Sequence, residues 1–387
     1  INGGADGHGT VFEVTTNGVL TTLYSFTGGN DGAEPEAGMA LGPKGIFYGV
    51  TSFSGSGGYG TVFAITESGS LTTLYSFNDD NNGANPSAAL ILRANGNFYG
   101  TTAGDQSSTY GNLFEITPSG TLTNLYTFTN GNDGAAPDAA LANGPDGNFY
   151  GTTYGNLSGT PFDSGNNPWG AVFELTPNGV FATLVSFDGA NGGNSSGNLV
   201  LGPDGNFYGT TSGGGQYGIG EVYRLDLPPE ILRQPPSQSV FTGAPVTLSV
   251  ALFGTAPYSF QWLSNNVPIV AATNGTFTIP DFAVGDAANY SVMVSNDWGG
   301  AFSAAALVTA ETAPVISSIA VPASGNATLN CRSQPKVASR LWAATNLAGQ
   351  ADWTPIFTNS VTSPDGAWQF TDTNGHDFQR YYRISTP

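Results

Sequence analysis

The chain has 387 residues, of which 28 are Asp or Glu and 9 are Lys or Arg, so its formal net charge is −19. This charge excludes binding to nucleic acid and docking on anionic lipid, because both need Lys and Arg on the protein. One Cys excludes an intrachain disulfide framework, and no apolar run approaches the roughly 20 residues of a membrane helix, so we expect no direct membrane insertion.

The first 227 residues contain a tandem repeat with a period of about 51 residues. Each unit carries Gly-Thr-Val-Phe-Glu or a close variant, then Leu-Thr-Thr-Leu-Tyr-Ser-Phe, then an Asn/Asp-Gly-Ala-x-Pro turn, then Gly-Pro-Asp-Gly-Asn-Phe-Tyr-Gly-Thr-Thr. These short β-branched and aromatic runs are bounded by Gly, Asn, Asp or Pro, which predicts strands and no helix. The first motif stands at 9–13, 60–64, 111–115, 170–174 and 220–224.

Four short strands in each unit of this length predict a β-propeller-like array of four-stranded blades. In the order a, b, c and d, three units are complete, at about 37–77, 88–128 and 139–187. The chain begins with strands c and d alone (9–26) and the array ends with a, b and a further c (198–225). A ring could close by uniting a and b of the last unit with c and d of the first, which leaves one c strand over; otherwise these halves leave open edges, on which another chain can add a strand. Both arrangements stay open at this point.

These motifs resemble the glycine-rich GloVer-type tandem repeat of secreted bacterial proteins. The resemblance implies export and a β-propeller-like fold, and the family brings no established catalytic residues. The chain begins at Ile1 without Met or a signal peptide, so we expect a processed or truncated form. Residues 1–227 hold 19 acidic and three basic residues, and this acidic region ends at Leu227-Pro228-Pro229, which is typical of a stiff linker.

Residues 228–311 are predicted to form a β-sandwich. Trp262 lies on one predicted strand, and Tyr290 follows Asp286 by four residues on another, which resembles the immunoglobulin sandwich and its tyrosine corner. Val250 and Val292 stand where that family has its disulfide, so packing is expected to replace the cross-link. Residues 312–387 again show alternating strand patterns and resemble the terminal β-sandwich modules of secreted bacterial proteins.

No catalytic constellation emerges from the sequence, and we expect no enzyme. Ser195 satisfies Gly-x-Ser-x-Gly but occupies a turn with no helix after it, whereas a nucleophile elbow needs a strand before and a helix after the serine. Glu13, Glu115 and Glu174 recur on strand c, where alternation with a buried Phe predicts a solvent-facing position on separate blades.

Two weaker site predictions concern calcium and glycans. Acidic side chains recur at one loop position, beside Glu34 and Glu36 or Asp138, and oxygen clusters suit Ca²⁺, although Asp also serves turns. Exposed aromatic rings could stack on sugars, although core packing explains the same residues. The calcium candidates are Asp31, Asp80, Asp133 and Asp188, and the glycan candidates are Trp169, Tyr150 and Tyr208.

Together these patterns predict a non-enzymatic, extracellular surface protein that forms or decorates a fibre, coat or adhesive stalk. Its expected partners are further copies of itself or other surface proteins, its expected cofactors are none apart from calcium, and inter-subunit strand addition is the expected mode of assembly. A glycan-binding module is the alternative. A polysaccharide-acting enzyme is the third hypothesis, and it requires carboxylates with perturbed pKa values that converge in a pocket.

Overall fold

A computed structural model describes residues 3–78, 83–105, 109–155, 169–311, 313–321, 326–333, 338–345, 347, 352–360, 366–373 and 379–386. The described chain is all-β, as predicted, with two 3-10 turns, Pro43–Gly45 and Val284–Asp286. Within these residues no helix is long and apolar enough to cross a membrane. The chain divides into two compact units, Ile1–Leu227 with Phe253–Ala256, and Pro228–Leu252 with Pro257–Pro387.

The first unit contains seventeen described strands, which form five antiparallel sheets, one for each repeat. Repeat 1 is the sheet β1–β2, repeats 2 to 4 are the sheets β3–β6, β7–β10 and β11–β14, and repeat 5 is the sheet β15–β17. The strands are β1 (Thr10–Val14), β2 (Leu20–Ser25), β3 (Ala40–Leu41), β4 (Phe47–Thr51), β5 (Thr61–Ile65), β6 (Leu71–Ser76), β7 (Ile91–Leu92), β8 (Phe98–Thr102), β9 (Asn112–Ile116), β10 (Leu122–Thr127), β11 (Ala142–Asn143), β12 (Phe149–Thr153), β13 (Ala171–Leu175), β14 (Phe181–Ser186), β15 (Val200–Leu201), β16 (Phe207–Thr210) and β17 (Val222–Leu225).

The strand content of each repeat follows the predicted a, b, c and d. Repeats 2 to 4 have all four strands, repeat 1 has c and d, and repeat 5 has a, b and c. Among the described residues, no strand of β1–β2 pairs with a strand of β15–β17. A blade shared between the two ends is therefore not formed here, and a closed propeller stays a prediction.

A threonine clamp joins strands b and c in repeats 2 to 5. The last Thr of the b segment accepts a hydrogen bond from the first backbone amide after the motif glycine, as in Asn112 N to Thr102 Oγ1 at 3.0 Å. The equivalent bonds from Thr61, Ala171 and Glu221 measure 3.0, 2.9 and 3.0 Å. The recurrent Gly-Thr-Thr and Gly-x-Val-Phe motifs thus build one connection.

Successive repeats pack face to face, and we name the two faces by direction. The forward face of a repeat packs on the next repeat. It carries the Tyr of Phe-Tyr-Gly and the second residue of the Thr-Val-Phe-Glu segment. The back face packs on the preceding repeat. It carries the Phe of Phe-Tyr-Gly and the third residue of the Thr-Val-Phe-Glu segment. Tyr rings therefore meet Phe rings across each interface, at centroid distances of 4.0 Å for Tyr48–Phe98, 4.6 Å for Tyr99–Phe149 and 4.5 Å for Tyr150–Phe207.

The immunoglobulin-like part of the chain contains a sheet in the order β19–β27–β25–β22–β23, with β26 beside β25, and the pairs β20–β24 and β18–β21. Trp262 and Val292 are fully buried in its core, and the Tyr290 hydroxyl donates to the Asp286 carbonyl at 2.6 Å, which is the predicted tyrosine corner. The strands are β18 (Glu230–Arg233), β19 (Gln238–Phe241), β20 (Val246–Ser249), β21 (Ala251–Phe253), β22 (Ser259–Ser264), β23 (Val267–Pro268), β24 (Thr276–Ile279), β25 (Ala288–Asn296), β26 (Gly299–Phe302) and β27 (Ala306–Glu311).

The C-terminal part contains two three-stranded sheets, β28–β29–β32 and β31–β30–β33. Leu329, Cys331 and Leu341 are buried in the core that they share, and burial raises the pKa of the Cys331 thiol to about 11. The strands are β28 (Val315–Ala320), β29 (Ala327–Arg332), β30 (Ala338–Ala344), β31 (Thr354–Ser360), β32 (Ala367–Asp372) and β33 (Tyr381–Ser385).

Candidate functional site

The Gly-Ala-x-Pro turns of repeats 2 to 4 meet around an open cleft of about 490 Å³. Glu36, Ser87 and Asp138 each follow the Pro of their turn, and all three line this cleft. Repetition of one turn has therefore placed one position of three repeats around a common space. Phe53 and Tyr59 add aromatic surface to the lining.

A left-handed residue in each turn directs the chain into the cleft. The residue before Pro, or its counterpart in repeat 5, has a positive φ in every one of these turns: Glu34 59°, Asn85 57°, Ala136 51° and Asn194 55°. The Asn85 amide donates to the Tyr59 carbonyl at 2.9 Å, and its carbonyl accepts from the Ala103 amide at 3.1 Å. The turn is thus tied both to the preceding repeat and to its own strand b, which fixes the position two residues later.

The electrostatics of the cleft are dominated by carboxylates. Burial raises the pKa of Asp138 to about 6, the negative charge of Glu36 acts in the same direction, and a hydrogen bond from Ser87 at 3.4 Å opposes them. Glu36 accepts a hydrogen bond from Ser52 at 3.2 Å. The cleft therefore offers hydroxyl groups, hydrogen-bond acceptors and one carboxyl group that titrates near neutral pH, which suits a polyhydroxylated ligand.

The cleft does not follow from the sequence pattern. That pattern names Glu36 and Asp138 as neighbours of the predicted calcium residues, and it predicts solvent-facing positions for Glu13, Glu115 and Glu174. The Glu115 side chain accepts hydrogen bonds from Asn97 at 2.6 Å and Tyr99 at 2.8 Å, so it fastens the turn between strands a and b. The available signal was the shared turn position in successive repeats.

The predicted calcium residues hold their own turns. Asp31 accepts from the Thr27 amide at 2.8 Å, the Thr27 hydroxyl at 2.5 Å and the Tyr24 hydroxyl at 3.0 Å. Burial acts to raise the pKa of Asp31, but these hydrogen bonds outweigh it and hold the pKa below its usual value. Asp133 repeats the arrangement with Thr129 and Tyr126.

Asp188 likewise accepts from the amides of Ala190 and Asn191, both at 2.9 Å, and Asp80 lies outside the described residues. Within the described part of the chain, no group of three or more His, Cys, Asp or Glu side chains could hold a metal ion. Calcium binding at these turns stays a prediction.

The three predicted glycan residues occupy different environments. Tyr150 is buried in the interface between repeats 4 and 5, a position that does not present its ring to a ligand. Tyr208 is half-buried, and its hydroxyl donates to Asp204 at 2.8 Å. Trp169 is 36% exposed and lies against Gly189 and Gly193, where a Cβ atom would come within 2.8 and 2.5 Å of the indole. Stacking of sugars on Trp169 or Tyr208 stays a prediction.

Ser195 is buried and donates to the Thr210 carbonyl at 2.9 Å. Its second neighbour is the Tyr223 hydroxyl at 3.4 Å. This geometry gives the serine a structural role at the start of repeat 5.

Comparison with known proteins agrees with this architecture. Residues 1–160 match the family described as the Gloeobacter/Verrucomicrobia repeat, and residues 228–296 match the immunoglobulin domain. The chain carries Gloeobacter/Verrucomicrobia repeats followed by an immunoglobulin domain. The resemblances to the tandem repeat and to the immunoglobulin sandwich are thereby confirmed, and that of residues 312–387 to terminal β-sandwich modules stays a prediction.

One curated relative is the decoration protein of Escherichia phage T5, 44% identical over 61 residues, which are 16% of this chain. The chain spans 37% of the length of that relative. Similar solved structures include the titin M10–obscurin-like 1 complex, with 26% identity, 22% of this chain, 96% of that chain and a TM-score of 0.21. Titin I67–I69 matches with 12% identity, 62% of this chain, 91% of that chain and a TM-score of 0.30.

Proposed function

We propose that the protein is a non-enzymatic extracellular structural protein, which forms or decorates a fibre, coat or adhesive stalk by binding other structural subunits. The observation that carries this proposal is the end of the repeat array. In repeats 1 to 4 strand c is followed and paired by strand d, whereas β17 of repeat 5 is an edge strand of its described sheet. An uncovered edge readily accepts a further strand.

Three further features support a structural role. Regular strands and hydrogen-bonded turns account for most of the polar groups that the sequence offered as site candidates. The immunoglobulin domain is a fold used widely for surface and adhesive modules. A curated relative is named as a decoration protein, so a decorating role for this chain is part of the proposal. Its partners would be further copies or other surface proteins, and the cell surface its location.

The first test is negative-stain electron microscopy, combined with light scattering after gel filtration, over a hundredfold range of protein concentration with and without millimolar calcium. Regular filaments or larger assemblies are expected at the higher concentrations. Compact monomers under every condition would contradict assembly from copies of this chain, and equal assembly with and without calcium would show that calcium binding at the turns is not needed for it.

The cleft supports glycan binding as a second candidate function, because Glu36 and Asp138 meet there beside two aromatic side chains. Retention on polysaccharide affinity gels is expected to fall in Glu36→Gln or Trp169→Ala if the cleft or the indole is used. A further variant, Asp138→Asn, addresses the enzyme hypothesis: loss of reducing-sugar release with retention unchanged would assign chemistry to the cleft. No retention and no product on a broad panel would remove both alternatives.

A further inference from the structure

The forward face of repeat 5 keeps the residues of an inter-repeat interface but is exposed. Val222 is 77% exposed, whereas the equivalent residues Val62, Leu113 and Val172 are fully buried against the next repeat. Val200 is 63% exposed at the position where Ala142 packs into the interface between repeats 4 and 5. The apolar surface on this face is therefore the same surface that the chain buries at each internal interface.

This face does not have the composition of a terminal cap. Repeat arrays need end repeats with a polar outer face, because the apolar face of an end repeat would otherwise meet water. Repeat 5 instead retains Val200, Tyr208 and Val222 where repeat 4 has Ala142, Tyr150 and Val172. Val200 and Val222 are as apolar as their counterparts in repeat 4, which indicates that something covers them.

The internal interfaces show which side chains pack on this face. At each one, the second residue of the Thr-Val-Phe-Glu segment meets the Phe, Ile or Leu side chains of the back face that follows, as Val62 meets Phe114 and Ile116. The back face of repeat 1 offers the same chemistry and is also exposed: Phe12 is 54% and Val14 58% exposed, whereas Phe63 and Ile65 are each 1% exposed.

We propose that the forward face of repeat 5 binds the back face of repeat 1 of a second copy, so that the inter-repeat interface continues from one molecule to the next. This proposal rests on the structural function proposed above and specifies its interface. The contact is heterologous, with Val222 of one copy against Phe12 and Val14 of the other, and heterologous contacts that do not close produce open filaments. Packing of these faces would then hold copies together in addition to any strand that is added to the β17 edge.

The test uses the full chain with one aspartate on either face, Val222→Asp and Phe12→Asp. Both positions are more than half exposed, so neither change should disturb the fold, which circular dichroism and unfolding curves check. Analytical ultracentrifugation should show that each variant alone weakens self-association at least about tenfold, as expected for a charge at the centre of an apolar contact. Val180→Asp, at a 65% exposed turn position of repeat 4, is the matched control and should assemble like the wild type.

Mixing the two variants gives the sharpest outcome. Val222→Asp keeps an intact back face and Phe12→Asp keeps an intact forward face, so an equimolar mixture should form one-to-one dimers and nothing longer. Wild-type assembly that neither substitution affects would overturn this interface while leaving the structural function intact. Assembly that Val222→Asp abolishes but the mixture does not restore would overturn repeat 1 as the partner face.

Two results would count against a second copy altogether. A wild type that stays monomeric over the whole concentration range contradicts both this interface and assembly from copies of the chain. A monomeric wild type that Val222→Asp and Phe12→Asp each destabilise would instead show that the two faces meet within one molecule, as in a closed ring.

Discussion

At the residue scale, the left-handed position of the turns is occupied by residues that differ in how well they suit a positive φ. Asn85 and Asn194 suit a positive φ, and each also donates its side-chain amide to a carbonyl, Ser52 at 3.1 Å and Tyr154 at 3.0 Å. Ala136 has the same conformation with a φ of 51° and no side chain for such a bond. Comparison of the repeats thus indicates that this turn position favours Asn over Ala.

We therefore expect Ala136→Asn to stabilise the first unit. The new amide would reach the Ala103 carbonyl, the equivalent of Ser52, and the left-handed penalty would fall, which together contribute about 1 kcal/mol to the free energy of unfolding. Denaturant unfolding followed by tryptophan fluorescence measures the change. The reciprocal variant Asn85→Ala should lose about the same amount, and a gain in both variants would contradict this explanation.

The titration of Asp138 gives a prediction for pH. Its folded pKa of about 6 lies above the ordinary 3.8, so folding favours the protonated form, and the stability contributed by that form is lost as the pH rises through about 6. Relative to the wild type, the free energy of unfolding of Asp138→Asn should therefore increase by about 2 kcal/mol as the pH rises from about 4 to about 7. Unfolding curves of both proteins across that range measure it.

Ser87→Ala serves as the control for that titration, because Ser87 donates a hydrogen bond that favours the ionised carboxylate. Its removal should raise the midpoint of the transition further. A stability difference between wild type and Asp138→Asn that does not change with pH would mean that the carboxyl group is solvated in solution.

At the scale of the strands, the link between b and c depends on the motif glycine. Gly111 has a φ of +98°, and a Cβ there would lie 2.3 Å from the Thr102 carbonyl oxygen and 2.5 Å from Pro137. Gly111→Ala should cost about 3 kcal/mol or more of unfolding free energy, since backbone strain and overpacking add. Gly96→Ala is the matched control: its φ is +83°, but its Cβ would meet nothing within 4 Å, so it should cost only about 1 kcal/mol.

The strands were predictable from the sequence, whereas their packing partners were only partly so. Alternation predicts that Phe and Tyr of Phe-Tyr-Gly lie on opposite faces of the sheet, with one packed between blades and the other partly exposed. Because the sheets of repeats 2 and 3 have a neighbouring repeat on both sides, Tyr48 and Tyr99 are buried like the Phe residues that they contact. A local pattern gives the two faces of a strand but not what covers each face, which depends on the next repeat.

The cleft was missed for a related reason. Two of its carboxylates, Glu36 and Asp138, are 102 positions apart in the chain, and nothing in the local sequence of either turn brings them together. Their proximity depends on how successive repeats pack on one another. The sequence predicts each turn by itself, whereas the convergence of three turns requires the packed array.

At the scale of the whole molecule, charge opposes assembly. Every copy carries a formal net charge of −19, with 19 of the 28 acidic residues in the repeats, so two repeat units that approach each other repel through the solvent. The proposed interface is apolar, and its strength should therefore depend on how well salt screens that repulsion. Screening leaves the apolar contact itself almost unchanged.

Self-association should accordingly strengthen with ionic strength. From about 0.01 M to about 1 M NaCl the screening length falls from about 30 Å to about 3 Å, and sedimentation should show the dissociation constant falling at least about tenfold over that range. A dissociation constant that rises with salt would show instead that opposite charges, and not apolar faces, hold the copies together. Because the sequence pI is about 4.1, lowering the pH toward 4 at constant ionic strength should act in the same direction as salt. Agreement between the salt and pH series would identify repulsion between acidic repeats as what keeps separate copies apart.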